Sequence, residues 1–77
     1  METPLPETVT MKARVLRVCR CELLVCDLCT CQEVRVHTRQ ACHFSVGDTV
    51  CIEYNGIMTL SLPPQINADS IRCMERC

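Results

Sequence analysis

The stretch that decides the fold is Val9-Thr10-Met11-Lys12-Ala13-Arg14-Val15-Leu16-Arg17-Val18. Val9, Met11, Ala13 and Val15 alternate with Thr10, Lys12 and Arg14. That is the period of two shown by a strand with one buried face and one solvated face. At Leu16 the phase slips by one residue, and Leu16 and Val18 carry the apolar face onward. A one-residue slip inside a long strand is the mark of a β-bulge, and bulges bend strands at the corners of barrels. Residues 9–18 are therefore predicted to form one long, bent first strand.

Working outward, Arg20 to Glu22 reads as a turn and Leu23-Leu24-Val25-Cys26 as a second strand. Asp27-Leu28-Cys29-Thr30 is the connection, since Asp and Thr can bond their own backbone. Cys31 to His37 is a third strand, with Val34 and Val36 inward and Arg35 and His37 outward. Thr38 to Ala41 is read as one helical turn. Thr49 to Tyr54 alternates as a fourth strand. Asn55-Gly56 is the strongest short hairpin signal in the chain, because both residues accept positive φ; it predicts a two-residue type I′ turn. Met58, Leu60 and Leu62 would then form the fifth strand, ended by Pro63-Pro64, which cannot donate to a ladder. Ile66, Ala68 and Ile71 extend the apolar pattern. Val15, Val25, Val34, Val36, Val50, Ile52 and Leu60 are expected in the core, with Phe44 and Tyr54 also inward. A chain this short with these strands predicts an all-β fold, a small closed five-stranded barrel, because closure removes exposed sheet edges. Residues 1–8, acidic and proline-bearing, are expected to be a flexible tether, residues 9–74 the barrel and residues 75–77 a tail.

Phe44-Ser45-Val46-Gly47-Asp48-Thr49-Val50 resembles the F-x-V-G-D-x-V segment of oligonucleotide/oligosaccharide-binding (OB-fold-like) barrels, in which the Gly-Asp turn feeds the fourth strand. Leu23, Leu24, Val25 and Asp27 upstream fit the same pattern. So does the run from Tyr54-Asn55-Gly56 through Met58, Leu60, Leu62, Pro63-Pro64, Ile66 and Ala68 to Ile71. Over residues 9 to 74 the chain looks like small uncharacterised proteins of anaerobic Firmicutes expected to carry such a barrel. The resemblance implies an OB-fold-like architecture and a bacterial source. It implies no particular activity, since this barrel hosts many functions.

The chain has 77 residues, nine of them cysteine, with nine acids, eight Lys and Arg, and a net charge of -1. Only Phe44 and Tyr54 are aromatic. These figures exclude a multi-domain enzyme, a disordered chain and a strongly basic nucleic-acid binder. No run approaches the roughly 20 apolar residues of a membrane span, and Met1 to Thr10 has no secretory pattern. A cytoplasmic location is expected, where thiols stay reduced; an odd cysteine count also fits poorly with a closed disulfide framework.

Cys26-Asp27-Leu28-Cys29 has the spacing of half a structural zinc site. Cys26, Cys29 and Cys31 gather near one hairpin tip; Cys19, Cys21 and His37, with Cys42 and His43, gather near the other end. Cys21 and Cys26 fall roughly 16 Å apart at the ends of one strand, too far to share an ion that holds each sulfur at about 2.3 Å. Free thiols, no metal and no cofactor are therefore expected. Cys42 and His43 are adjacent, and adjacent side chains in an extended segment point apart, so no nucleophile–base pair is expected and the protein is read as a non-enzyme. Lys12, Arg14, Arg35 and His37 share the outward face of strands one and three and are the candidate ligand-binding residues. Glu22 and Glu33 lie near them, and no aromatic platform is expected outside, so single-stranded nucleic acid is predicted to bind weakly. The working expectation is a small interaction module with a protein partner, or one that self-associates. A nucleic-acid binder and a zinc or thiol-metal protein are the alternatives. No membrane association is expected.

Overall fold

The bulge read from the phase slip is present. In the computed structural model, which describes residues 8–74, the chain runs β1 (Val9–Val18), β2 (Glu22–Asp27), β3 (Glu33–His37), a 3-10 turn at Ala41–His43, β4 (Thr49–Tyr54) and β5 (Gln65–Cys73). Val15 lies opposite Val25 and Arg17 opposite Leu24, which leaves Leu16 as the extra residue. The bend lets β1 serve two neighbours: Val9 to Arg14 pair with β4, and Ala13 to Val18 pair with β2, both antiparallel. Around the ring the order is β1-β2-β3-β5-β4, closing on β1. The fold is thus the all-β, closed five-stranded, OB-fold-like barrel expected from the sequence. Residues 1–7 of the expected tether and the expected tail at 75–77 lie outside the described residues.

The Phe-x-Val-Gly-Asp-x-Val segment has a structural explanation. Gly47 adopts φ +96, a region open to glycine at no steric cost. Asp48 Oδ2 accepts from the Ser45 N–H at 2.9 Å and fixes the turn. The turn then docks on the bulge: Gly47 N–H donates to Val15 O, and Val15 N–H donates to Asp48 O, each at 2.8 Å. Phe44 anchors the segment in the core. The motif thus supplies backbone partners at the point where the bulge interrupts the β1 ladder.

The inward residues of all five strands, with Ala41 and Phe44, form one apolar core. Val15, Val25, Val34, Val36, Val50 and Ile52 are buried as predicted, at 0–1% exposure. Tyr54 and Phe44 also face inward, at 6% and 9%. No charged side chain is buried among the described residues.

Three expectations are corrected. Leu60, expected in the core, is 99% exposed. The fifth strand is Gln65–Cys73, not the segment around Met58, Leu60 and Leu62. Asn55-Gly56 is not a two-residue type I′ turn, since Gly56 has φ +87 but Asn55 has no positive φ. Asn55 Oδ1 instead accepts from the Ile57 N–H at 3.0 Å, which starts a long β4–β5 loop. That loop is closed by its polar residues. Thr59 N–H donates to Gln65 O, and Gln65 N–H donates to Thr59 Oγ1, both at 3.0 Å. Ser61 Oγ donates to Pro63 O at 2.8 Å. Thr59 and Ser61 thus hold the loop closed on itself and leave Leu60 and Leu62 outside. Two smaller shifts occur. β3 starts at Glu33 rather than Cys31, because Cys31 takes φ 62 at the hairpin turn. The helical turn falls at Ala41–His43, a little after its expected place.

The ring closes through a short seam. β3 and β5 run parallel and pair only as Arg35 with Gln65, Val36 with Ile66 and His37 with Asn67. From Ala68 to Cys73, β5 pairs with β4 alone among the described residues.

Candidate functional site

The four candidate residues all lie on the outer surface, as the alternation requires, but they divide into two settings. Arg35 and His37 project from β3 on either side of Glu22 of β2, which lies in register with His37. Arg35 Nε is 3.5 Å from Glu22 Oε2, and His37 Nδ1 is 3.6 Å from Glu22 Oε1. His37 Nε2 pairs with Gln65 Oε1 at 2.7 Å across the seam. Both side chains are therefore engaged with neighbours, and the carboxylate offsets the guanidinium charge. Lys12 and Arg14 project from β1 and are exposed. Arg14 faces Cys26 of β2 on one side and Thr49 of β4 on the other; Lys12 faces Cys51 of β4. Neither forms an ion pair among the described residues.

Further cations stand on the outer face. Arg17 and Arg35 flank Leu24 in one row across β1, β2 and β3. Arg72 of β5 faces Cys51 from the side opposite Lys12. Arg72 was not a candidate because the fifth strand had been placed before it.

The described cysteines do not converge. All eight described cysteines are free, and no three His, Cys, Asp or Glu side chains among the described residues are placed to hold a metal ion. Cys26 faces Glu33 across the hairpin. The Cys26–Cys29 spacing is organised by the acid between them. Asp27 Oδ1 accepts from the Cys29 N–H at 2.8 Å and from the Thr30 N–H at 3.4 Å, an Asx-type turn. Cys42 and His43 are both exposed on the 3-10 turn.

Two shallow grooves of about 640 Å³ mark the surface. One, the more polar of the two, lies beside the seam, between Thr38–Gln40 and the Asn67–Ser70 part of β5. The other is more apolar and lies between the start of β1 and the β2–β3 hairpin, lined by Val9, Met11, Leu28 and Tyr54. Next to it stands the β4–β5 loop. A Cβ on Gly56 would meet Val9 Cγ2 at 3.2 Å, and Gln32 of the hairpin shares a small groove with Met58, Leu60 and Leu62. This end of the barrel therefore presents Leu28, Ile57, Leu60 and Leu62 at 47%, 68%, 99% and 94% exposure.

Comparison with protein families, with curated proteins and with solved structures finds no match for this chain. No helix among the described residues is long and apolar enough to cross a membrane.

Proposed function

We propose that this protein is a non-enzymatic interaction module that binds a protein partner through the apolar end of its barrel. The observation that carries the reading is the β4–β5 loop, which holds Leu60 and Leu62 in water at 99% and 94% exposure while polar bonds inside the loop keep its shape. Single exposed apolar residues are ordinary, but contiguous groups on a small monomer mark interaction surfaces. Burying each leucine is worth about 1.5–3 kcal/mol. A preformed loop also loses little entropy on docking.

Nucleic acid is the less favoured ligand. Glu22 engages two of the four candidate residues, and both aromatic rings lie in the core, so no base-stacking platform is offered. Catalysis has no assembled nucleophile, base and orienting group among the described residues.

The test compares the full chain with a Leu60→Asp, Leu62→Asp variant as immobilised bait in extract of the source cells. A protein held by the first and lost by the second is then purified and titrated against both by calorimetry. We expect the variant to bind at least about 30-fold more weakly, which corresponds to losing some 2 kcal/mol of apolar burial. Equal affinity of bait and variant for every captured protein refutes the reading. Sedimentation of the chain alone reports whether the partner is a second copy.

A further inference from the structure

The outer face of β4 carries a thiol set between cations. Cys51 lies opposite Lys12 of β1 on one side and opposite Arg72 of β5 on the other. Directly opposed cross-strand residues have Cβ atoms about 4.5–5.5 Å apart. Arg14 faces Thr49 one row along, which makes it a diagonal neighbour of Cys51. None of these three cations has a carboxylate partner among the described residues. Among the described residues the acid beside Cys51 on this face is Glu53, two residues along β4, and its carboxylate accepts from Ser70 Oγ at 3.0 Å. Cys51 itself is half-buried, accessible but walled by its neighbours. No other described cysteine lies opposite a cation on both neighbouring strands, since Cys19, Cys21, Cys29, Cys31 and Cys42 lie outside the strands altogether. Cys26 faces Arg14 and the acid Glu33, Cys29 and Cys31 sit on the Asp27 turn, and Cys73 faces the buried Val50.

We propose that Cys51 is a thiol–disulfide exchange site selective for small anionic disulfides of the glutathione type. Lys12 and Arg72 hold the incoming carboxylates. The Cys51 thiolate, its proton given to solvent, attacks one sulfur of the disulfide. A new S–S bond forms to Cys51 as the old one breaks, and the other half leaves as a thiolate that takes up a proton from water. Cys51 is oxidised, the small disulfide is reduced, and no further oxidant enters. The product is a mixed disulfide on the β1–β4–β5 face, and the proposal does not rest on the partner site at Leu60 and Leu62.

The test uses the full chain, reduced and freed of reductant, incubated with glutathione disulfide at low salt, quenched by alkylation and mapped by peptide mass spectrometry. We expect Cys51 to acquire the mixed disulfide ahead of the other described thiols. A Lys12→Gln, Arg72→Gln variant should react about tenfold more slowly there, since each cation at ~6 Å in a water-like dielectric contributes about threefold. High salt should slow the natural chain similarly. Both residues are exposed, so the variant should keep its melting midpoint, and its Cys51 should lose much less rate with uncharged 2-hydroxyethyl disulfide than with glutathione disulfide. With cystamine, a cationic disulfide, the variant should be the faster of the two. Equal rates of variant and natural chain with glutathione disulfide, or earlier modification of another described thiol, overturn the proposal.

Discussion

Replacing Ile52 by alanine tests the barrel at its centre. Ile52 is fully buried, and it lies in register with Met11 of β1 and Ile71 of β5, so its side chain is packed from both neighbouring strands as well as from within the core. Truncating a buried isoleucine removes the transfer free energy of three carbons and leaves a cavity that a closed ring of strands relaxes poorly around; the cost is about 2–5 kcal/mol. Small domains have total stabilities near the lower end of about 5–15 kcal/mol. A loss of about 3 kcal/mol lowers the melting midpoint by roughly 12–24 °C at this chain length. The assay is reversible urea unfolding followed by far-ultraviolet circular dichroism, with thermal melts in parallel, on the reduced protein. The midpoint should fall while the denaturant slope stays constant. Leu60→Ala is the internal control: with a side chain 99% exposed, it should move stability by less than about 0.5 kcal/mol. An Ile52→Ala protein as stable as the parent, or a Leu60→Ala protein as damaged as Ile52→Ala, refutes the inward and outward assignment argued above.

Other consequences are as direct. Gly56→Val places a β-branched residue at φ +87 with its Cβ 3.2 Å from Val9 Cγ2, and should cost about 1–3 kcal/mol in the same urea assay. Asp27→Ala removes the acceptor for the Cys29 and Thr30 N–H groups; a loss of about 0.5–1.5 kcal/mol is expected, with the hairpin amides exchanging faster by nuclear magnetic resonance. Mixed-sequence single-stranded DNA and RNA should bind only weakly near physiological salt by fluorescence anisotropy. Submicromolar, steeply salt-dependent binding that disappears in a Lys12→Ala, Arg14→Ala, Arg35→Ala variant would show the basic face to be a nucleic-acid site.

The sequence was legible where pattern and local chemistry pointed the same way. The phase slip at Leu16 marked the bulge, and the Gly47-Asp48 turn carried its own conformational and hydrogen-bonding logic. Val34, Val36, Val50 and Ile52 stood in unambiguous alternation. It was misleading where an alternating run had no strand to pair with. Met58, Leu60 and Leu62 have the period of a strand, but Thr59 and Ser61 bond within the loop, and pairing is a non-local property. The true β5 is disguised: it contributes only Ile66 and Ile71 to the buried face, with four residues between them, and a register shift opposite Glu53 and Tyr54 breaks the period. That single misplacement hid both the exposed leucines and the row that joins Lys12, Cys51 and Arg72. The Glu22 pairing was partly visible, since Glu22 was recognised as near the basic face, but its position between Arg35 and His37 depends on a register that the sequence alone leaves open.

The short seam between β3 and β5 bears on how the barrel moves. Each of the other four junctions in the ring pairs five or six residues per strand, whereas this one pairs three, with the His37–Gln65 side-chain bond as a latch. Sub-global openings start where the fewest interactions must be given up. Breaking the seam leaves the remaining ladder intact as a curled sheet in the order β3-β2-β1-β4-β5, with two new edges and a slot into the core beside Val36 and Ile66. Amide protons at the seam should therefore exchange with solvent through a low-energy opening, while those between β1 and β4 wait for global unfolding. His37→Ala should speed the first set and leave the second nearly unchanged. A ring of this kind behaves as a sheet with a clasp, and the clasp sets how often the core meets water.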